Sequence, residues 1–129
     1  MKKAETKRLQ EWLLEVSLRA GALLAVLEMN GMDVGTQWRV HGRRITLAIE
    51  LENNSGATND YKNVLRNFII NEVNGVLVVC LDWRVKQLVD ELHCRELPVE
   101  FRRRILTCTI SEFSVELLQR WVQQLAAMN

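Results

Sequence analysis

The sequence predicts a helix-rich α+β fold in which a β-hairpin and a short third strand are covered by helices. Apolar residues recur every three or four positions in several segments, which is typical of amphipathic helices. One central segment instead alternates apolar and polar residues, which is typical of a half-buried strand. The chain of 129 residues is 48% hydrophobic and 26% charged, an ordinary globular composition, so residues 1–129 are expected to form a single domain.

The first predicted element is a long amphipathic helix from Leu9 to Leu27. Apolar residues within it follow the spacing of one helical face. Additional apolar residues, including Leu14 and Leu18, widen this stripe beyond one face. We therefore expect the helix to be covered on most sides, either by its own domain or by a second subunit. Asn30-Gly31 is the predicted end of the helix, because glycine tolerates the left-handed conformation found there.

Residues 37–52 predict a β-hairpin that turns at His41-Gly42. In this register Arg39 lies opposite Arg44. One face then holds Trp38, Val40, Ile45, Leu47, Ile49 and Leu51, and the other holds Gln37, Arg39, Arg44, Thr46, Glu50 and Glu52. A shift of one residue would mix the two sets, so the alternation supports this register. The polar face, with its two glutamates, is expected to lie in solvent, where both remain ionised.

A second helix and a third strand follow a polar, turn-forming loop at residues 53–59. Residues 61–73 restore helical spacing. Residues 76–81 form a short, apolar and β-branched run, which predicts a strand buried on both faces. The same run also fits helical spacing. One kinked helix over residues 61–92 is therefore the alternative, and it would give a mostly α fold with one β-hairpin.

Three C-terminal helices complete the predicted fold and are expected to cover one face of the sheet. The first begins after an N-cap at Asp82. The second begins at Pro98 and includes Cys108 on its apolar face. The last begins at Ser111 or Ser114 and continues to the end of the chain.

Composition excludes several classes of function. The formal net charge of +1 removes any general electrostatic attraction to nucleic acid or an anionic membrane. No apolar stretch is long enough to cross a membrane, and no secretory signal is present, so a cytoplasmic protein is expected. Cys80, Cys94 and Cys108 form neither a disulfide framework nor a zinc motif and are interpreted as small core residues. We expect no metal and no cofactor.

Two arginine groups are the candidate binding residues. Arg39, His41, Arg43 and Arg44 surround the predicted hairpin turn, where facing like charges would be relieved by an anionic partner. A secondary basic patch comprises Arg102, Arg103 and Arg104. Three consecutive residues point in different directions on a helix, so this run cannot form one flat surface. For both groups, ordinary solvated charge is the simpler interpretation.

The sequence leaves three hypotheses for function. The first is a small cytosolic protein-protein interaction module, such as an adaptor, inhibitor or immunity-type partner, that self-associates as a homodimer. The alternative is a nucleic-acid-binding regulator that uses the basic hairpin. The third is an enzyme of unknown class, which the sequence disfavours because it has no phosphate-binding loop, nucleophile elbow or metalloprotease motif.

Overall fold

The protein is an α+β fold built on one mixed sheet, in a computed structural model that describes residues 11, 23–25, 34–53 and 57–128. The five strands are neighbours in chain order. They are β1 (Leu23–Ala25), β2 (Val34–Val40), β3 (Arg43–Glu52), β4 (Gly75–Cys80) and β5 (Ile105–Thr109). The α-helices with described bounds are α1 (Asp60–Ile69), α2 (Trp83–Glu96), α3 (Val99–Arg102) and α4 (Val115–Ala127).

Strand β3 lies where the sheet changes from antiparallel to parallel pairing. β1, β2 and β3 pair antiparallel, whereas β3, β4 and β5 pair parallel. The two parallel connections pass through helices, as parallel pairing requires. Such crossovers are almost always right-handed, which places consecutive helices on the same face of a sheet. Accordingly, α1 and α2 pack together on one face.

The predicted hairpin and its register are confirmed. Arg39 lies opposite Arg44, and Trp38 lies opposite Ile45. The turn residues His41 and Gly42 have φ angles of 51° and 79°. Positive φ at both central positions is the conformation of a type I′ turn, whose twist matches that of the strands it joins.

The buried third strand is also confirmed, and the kinked-helix alternative is wrong. Every residue of β4 is buried, and the strand lies between β3 and β5.

Two predicted N-caps are found as well. Asp82 Oδ1 accepts a hydrogen bond of 3.0 Å from the Val85 amide, and Ser114 Oγ accepts one of 3.1 Å from the Leu117 amide.

The predicted N-terminal helix is not matched. Most of its range falls outside the described residues, and Leu23–Ala25 within it form strand β1, which pairs antiparallel with β2. If the residues around this strand formed a helix, apolar side chains would lie on all of its sides. Hydropathy therefore does not separate helix from strand there, and the hydrogen-bonding edge of β2 provides the pairing.

Of the three predicted C-terminal helices, the middle one is wrong beyond its first turn. Helix α3 ends at Arg102, and Ile105–Thr109 form strand β5 instead of a second helical turn. This segment is rich in β-branched residues, which favour a strand. It pairs in parallel with β4, from Val76 opposite Ile105 to Cys80 opposite Thr109.

Helices cover both faces of the sheet, not one. On the first face, α4 packs against the apolar side chains that the hairpin alternation predicts. On the second face, α1 and α2 pack against β3 and β4. The second face includes the side of β3 that the sequence assigns to solvent. The buried side chains of the second face are Ala48, Ala57, Val64, Phe68, Val73, Val76, Val78, Cys80, Val85, Val89 and Leu97.

Within the described ranges, no helix combines the length and the apolar content needed to cross a membrane.

Candidate functional site

Three buried carboxylates meet beside the carboxyl end of β3. Glu50, Glu52 and Asp60 each place one carboxylate oxygen within 4.8 Å of the others. Their exposed fractions are 3%, 4% and 0%, although aspartate and glutamate are rarely buried without a partner. We refer to these three residues as the carboxylate cluster.

The fold explains how the carboxylate cluster forms. Glu50 and Glu52 are two residues apart on β3, so both side chains lie on the same face of the sheet. That face is covered by α1, and Asp60 is the first residue of α1. Helix α1 follows a short 3-10 helix, Ala57–Asn59, which returns the chain from the end of β3. The prediction that both glutamates lie in solvent is therefore wrong.

A chain of asparagine side chains holds Glu50. Asn67 Nδ2 donates a hydrogen bond of 2.6 Å to Glu50 Oε1 and also contacts the Asn63 carbonyl at 3.1 Å. Asn71 Nδ2 donates to Asn67 Oδ1 at 2.7 Å. Asn63 and Asn67 are four residues apart and lie on one side of α1, and Asn71 follows the end of that helix. This arrangement fixes the orientation of the Glu50 carboxylate.

Asp60 is held from the opposite side by a histidine. His93 Nε2 of α2 lies 2.6 Å from Asp60 Oδ2, and both side chains are buried. The other oxygen, Asp60 Oδ1, is buried and has no hydrogen-bond partner among the described residues. An unsatisfied buried acceptor costs about 1–3 kcal/mol. This oxygen therefore has no compensating hydrogen-bond donor among the described residues.

Electrostatics favour a cation at the carboxylate cluster. Carboxylates removed from water repel one another unless a proton or cation lies among them. Cys80 lies opposite Glu52 in the adjacent strand. Burial raises the pKa of the Cys80 thiol far above its usual value, and the negative charge of Asp60 raises it further, so the thiol remains neutral. The cluster thus offers hard oxygen ligands, which suit Mg²⁺, Mn²⁺ or Ca²⁺ rather than a soft metal.

The distances agree with a shared divalent cation. Two oxygens on opposite sides of one Mg²⁺ lie about 4.2 Å apart, and on one Ca²⁺ about 5 Å apart. The separations in the carboxylate cluster are within 4.8 Å. One ion can therefore contact all three carboxylates after small side-chain adjustments.

The hairpin residues that the sequence selects lie far from the carboxylate cluster. Arg39, His41, Arg43 and Arg44 are exposed at the hairpin turn. Arg43 and Glu50 occupy opposite ends of β3, about 23 Å apart at 3.3 Å per residue. The turn packs on α4, where Arg43 Nη1 donates a hydrogen bond of 3.0 Å to the Ala126 carbonyl.

The second arginine group is at the same end of the sheet as the hairpin turn. The Arg104 carbonyl accepts a hydrogen bond of 3.0 Å from the Val76 amide, at the start of β4. Arg103 is exposed, whereas Arg102 and Arg104 are half-buried. The hairpin group is therefore not brought to the carboxylate cluster. In the second group, Arg102 lines a cavity together with His93, the residue that contacts Asp60.

We predict that replacing both Arg39 and Arg44 with Gln leaves the fold intact. Both side chains are exposed and face each other across β2 and β3, so the change removes only like charge. The free energy of unfolding should change by less than about 0.5 kcal/mol in urea denaturation. Binding to an anionic partner should weaken and lose part of its salt dependence if the turn contacts it. A cooperative loss of folding would contradict the exposed placement.

Sequence reasoning missed the carboxylate cluster and His93. One local signal was present, because two glutamates on the same face end a strand that is followed by a polar loop and Asp60. In open α/β sheets, ligands bind outside the carboxyl ends of strands. Cys94, which the sequence assigns to the core, is instead exposed on α2. Trp83, an apolar residue of the same helix, is 62% exposed.

Comparison of the chain with protein-family models, with curated proteins and with solved structures finds no match. The carboxylate cluster is therefore the feature of the protein from which its function is inferred.

Proposed function

We propose that the protein is a divalent-cation-dependent hydrolase that cleaves phosphate diesters, with the carboxylate cluster as its cation site. The observation that supports this most directly is the buried and unpartnered Oδ1 of Asp60, whose carboxylate group lies within 4.8 Å of two further buried carboxylates. A cation at these residues is thus favoured, because burying three acids with neither a cation nor a proton among them would destabilise the fold.

The choice of a phosphate ester follows from cation chemistry. Mg²⁺ and Mn²⁺ held by a few carboxylates retain positions for water and for phosphate oxygens of a substrate. A cation held by Glu50, Glu52 and Asp60 would lower the pKa of a bound water and stabilise the charge on the phosphate. In the proposed hydrolysis, a water oxygen forms a bond to phosphorus, the ester P–O bond breaks, and the proton that the water loses goes to the departing alcohol. Asn67 and His93 orient the carboxylates that would hold the cation.

A cavity whose lining does not include the carboxylate cluster offers room for the organic part of such a substrate. This cavity of about 610 Å³ lies at the carboxyl ends of β4 and β5, and Leu81, Trp83 and Ile110 are among its lining residues. The Leu81 amide donates a hydrogen bond of 2.9 Å to the Glu52 carbonyl, so the cavity borders the strand that contains the cluster. The Trp83 indole is exposed and has Lys86 Nζ 4.8 Å from its ring centroid, so this part of the cavity combines a positive charge with an aromatic surface on which a nucleobase can stack.

Hydrolysis assays test this proposal. The purified chain is incubated with bis(p-nitrophenyl) phosphate and with single- and double-stranded oligonucleotides of DNA and RNA, in Mg²⁺, Mn²⁺ or EDTA. We expect hydrolysis of at least one diester that requires the cation and is lost in EDTA. Absence of hydrolysis with every substrate and cation, or hydrolysis that persists in EDTA, would overturn the proposal.

A second candidate function is the protein-protein interaction module with self-association. One observation favours it: Ile69, Ile70 and Val99 are 63%, 65% and 60% exposed. Their helices are in contact, because the Phe68 and Phe101 rings stack with centroids 4.9 Å apart. Exposed apolar groups of this kind are typical of interaction surfaces. Light scattering at micromolar concentration should give a homodimer mass, whereas a monomer mass would argue against self-association.

A further inference from the structure

A second cavity, separate from the one beside Glu52, lies between α2, α3 and β5. Its volume is about 240 Å³, several times the roughly 30 Å³ that one water molecule occupies. It therefore has room for a small ion with its own oxygen atoms. The lining residues are Asp90, His93, Cys94, Arg102, Ile105 and Thr107.

Arg102, one of the residues that line this cavity, has an unsatisfied donor. Its Nε atom is buried and has no hydrogen-bond partner among the described residues. Arginine remains charged in proteins, and its planar donors match the geometry of carboxylate and phosphate oxygens. A buried guanidinium N–H without an acceptor is unfavourable, so an oxyanion in the cavity would satisfy it.

The other polar groups around the cavity are compatible with an anion. The Asp90 carboxylate is already paired, since its Oδ2 lies 3.0 Å from Lys86 Nζ. Thr107 can donate from its hydroxyl group. His93 uses Nε2 to contact Asp60, and its ring also lines the cavity. Cys94 contributes an exposed thiol at the same place.

We infer that this cavity is a binding site for a small oxyanion, a phosphate or carboxylate group held chiefly by Arg102. The inference does not depend on the proposed hydrolase, because it uses a different cavity and a ligand of opposite charge.

The first test measures anion binding in EDTA, which leaves no free divalent cation for the carboxylate cluster. Inorganic phosphate, acetate and chloride are titrated at constant ionic strength, and binding is followed by calorimetry and by the melting temperature. We expect saturable binding of phosphate or acetate and none of chloride. The stronger of the two ligands identifies the group as a phosphate or a carboxylate. Equal effects of all three salts would overturn the inference.

Substitutions locate the site. Arg102→Gln should weaken binding about tenfold or more, as expected for the loss of a hydrogen bond from a charged donor. Arg103→Gln is the matched control, because Arg103 is the next residue and is exposed. The affinity of this variant for the anion should equal that of the unaltered chain. Equal losses in both variants would place binding on general surface charge and contradict the inference.

Alkylation provides a test that requires no substitution. Cys94 is exposed, whereas Cys80 and Cys108 are buried. Burial also raises the pKa of Cys108 to about 12, so an alkylating reagent should modify Cys94 first. A saturating oxyanion should slow this modification severalfold by occupying the cavity that Cys94 lines. An unchanged rate under saturating phosphate and acetate would contradict the assignment.

Discussion

Replacing Glu50 with Gln is expected to reduce cation-dependent hydrolysis about 10³-fold, as judged from kcat/KM at saturating Mg²⁺ or Mn²⁺. Glutamine keeps the size of the side chain and can still accept the hydrogen bond from Asn67 Nδ2. It removes one charged ligand, and a bound cation stabilises a transition state by several kcal/mol. Glu91→Gln is the matched control, because Glu91 is exposed on α2, and its activity should be unchanged.

Glu50→Gln also separates a catalytic role of Glu50 from a structural one. In EDTA, Glu50→Gln should be at least as stable as the unaltered chain, because one of three mutually repelling buried charges is removed. Its urea midpoint should therefore stay the same or rise. Activity within a few-fold of the unaltered chain would contradict the assignment of Glu50, as would a marked loss of stability in EDTA.

Replacing Gly75 with Ala is expected to destabilise the fold by about 2–3 kcal/mol. A Cβ atom at Gly75 would lie 2.5 Å from Leu125 Cδ1, 2.9 Å from Trp121 Cζ2 and 3.2 Å from the Arg104 carbonyl oxygen. Leu125 and Trp121 are side chains of α4, and the Arg104 carbonyl belongs to the backbone just before β5, so the added methyl can be accommodated only by moving both. The urea midpoint measures the loss.

Gly42→Ala is the comparison for that substitution. A Cβ atom there has nothing within 4 Å, but the φ angle of +79° is unfavourable for alanine. Its cost should be about 1 kcal/mol, which arises from the backbone alone. If Gly75→Ala were no more destabilising than Gly42→Ala, the close approach of α4 to the start of β4 would be wrong.

The features that the sequence predicts correctly are those with a local signal. The alternation of apolar and polar residues along β2 and β3 fixes the pairing of Arg39 with Arg44, because a shift of one residue would move every apolar side chain to the other face. The apolar run of β4 and the N-caps at Asp82 and Ser114 likewise depend on residues close together in the chain.

The features that the sequence misses depend on distant parts of the chain. Alternation correctly groups Glu50 with Glu52 on one face but does not show that α1 covers that face. The contact between Asp60 and His93 joins residues 33 positions apart, and neither has a local pattern that identifies the other. Strand β5 similarly requires the open edge of β4.

Measurement of cation binding is the most direct test of the carboxylate cluster as a cation site. Mn²⁺ is titrated into the chain at neutral pH and followed by electron paramagnetic resonance, with Mg²⁺ and Ca²⁺ as competitors. We predict saturable binding that Glu52→Gln weakens about 10- to 100-fold and that Glu91→Gln leaves unchanged. Absence of saturable binding at millimolar Mn²⁺, or equal affinity in the chain with Glu52→Gln, would contradict the assignment of the carboxylate cluster as a cation site.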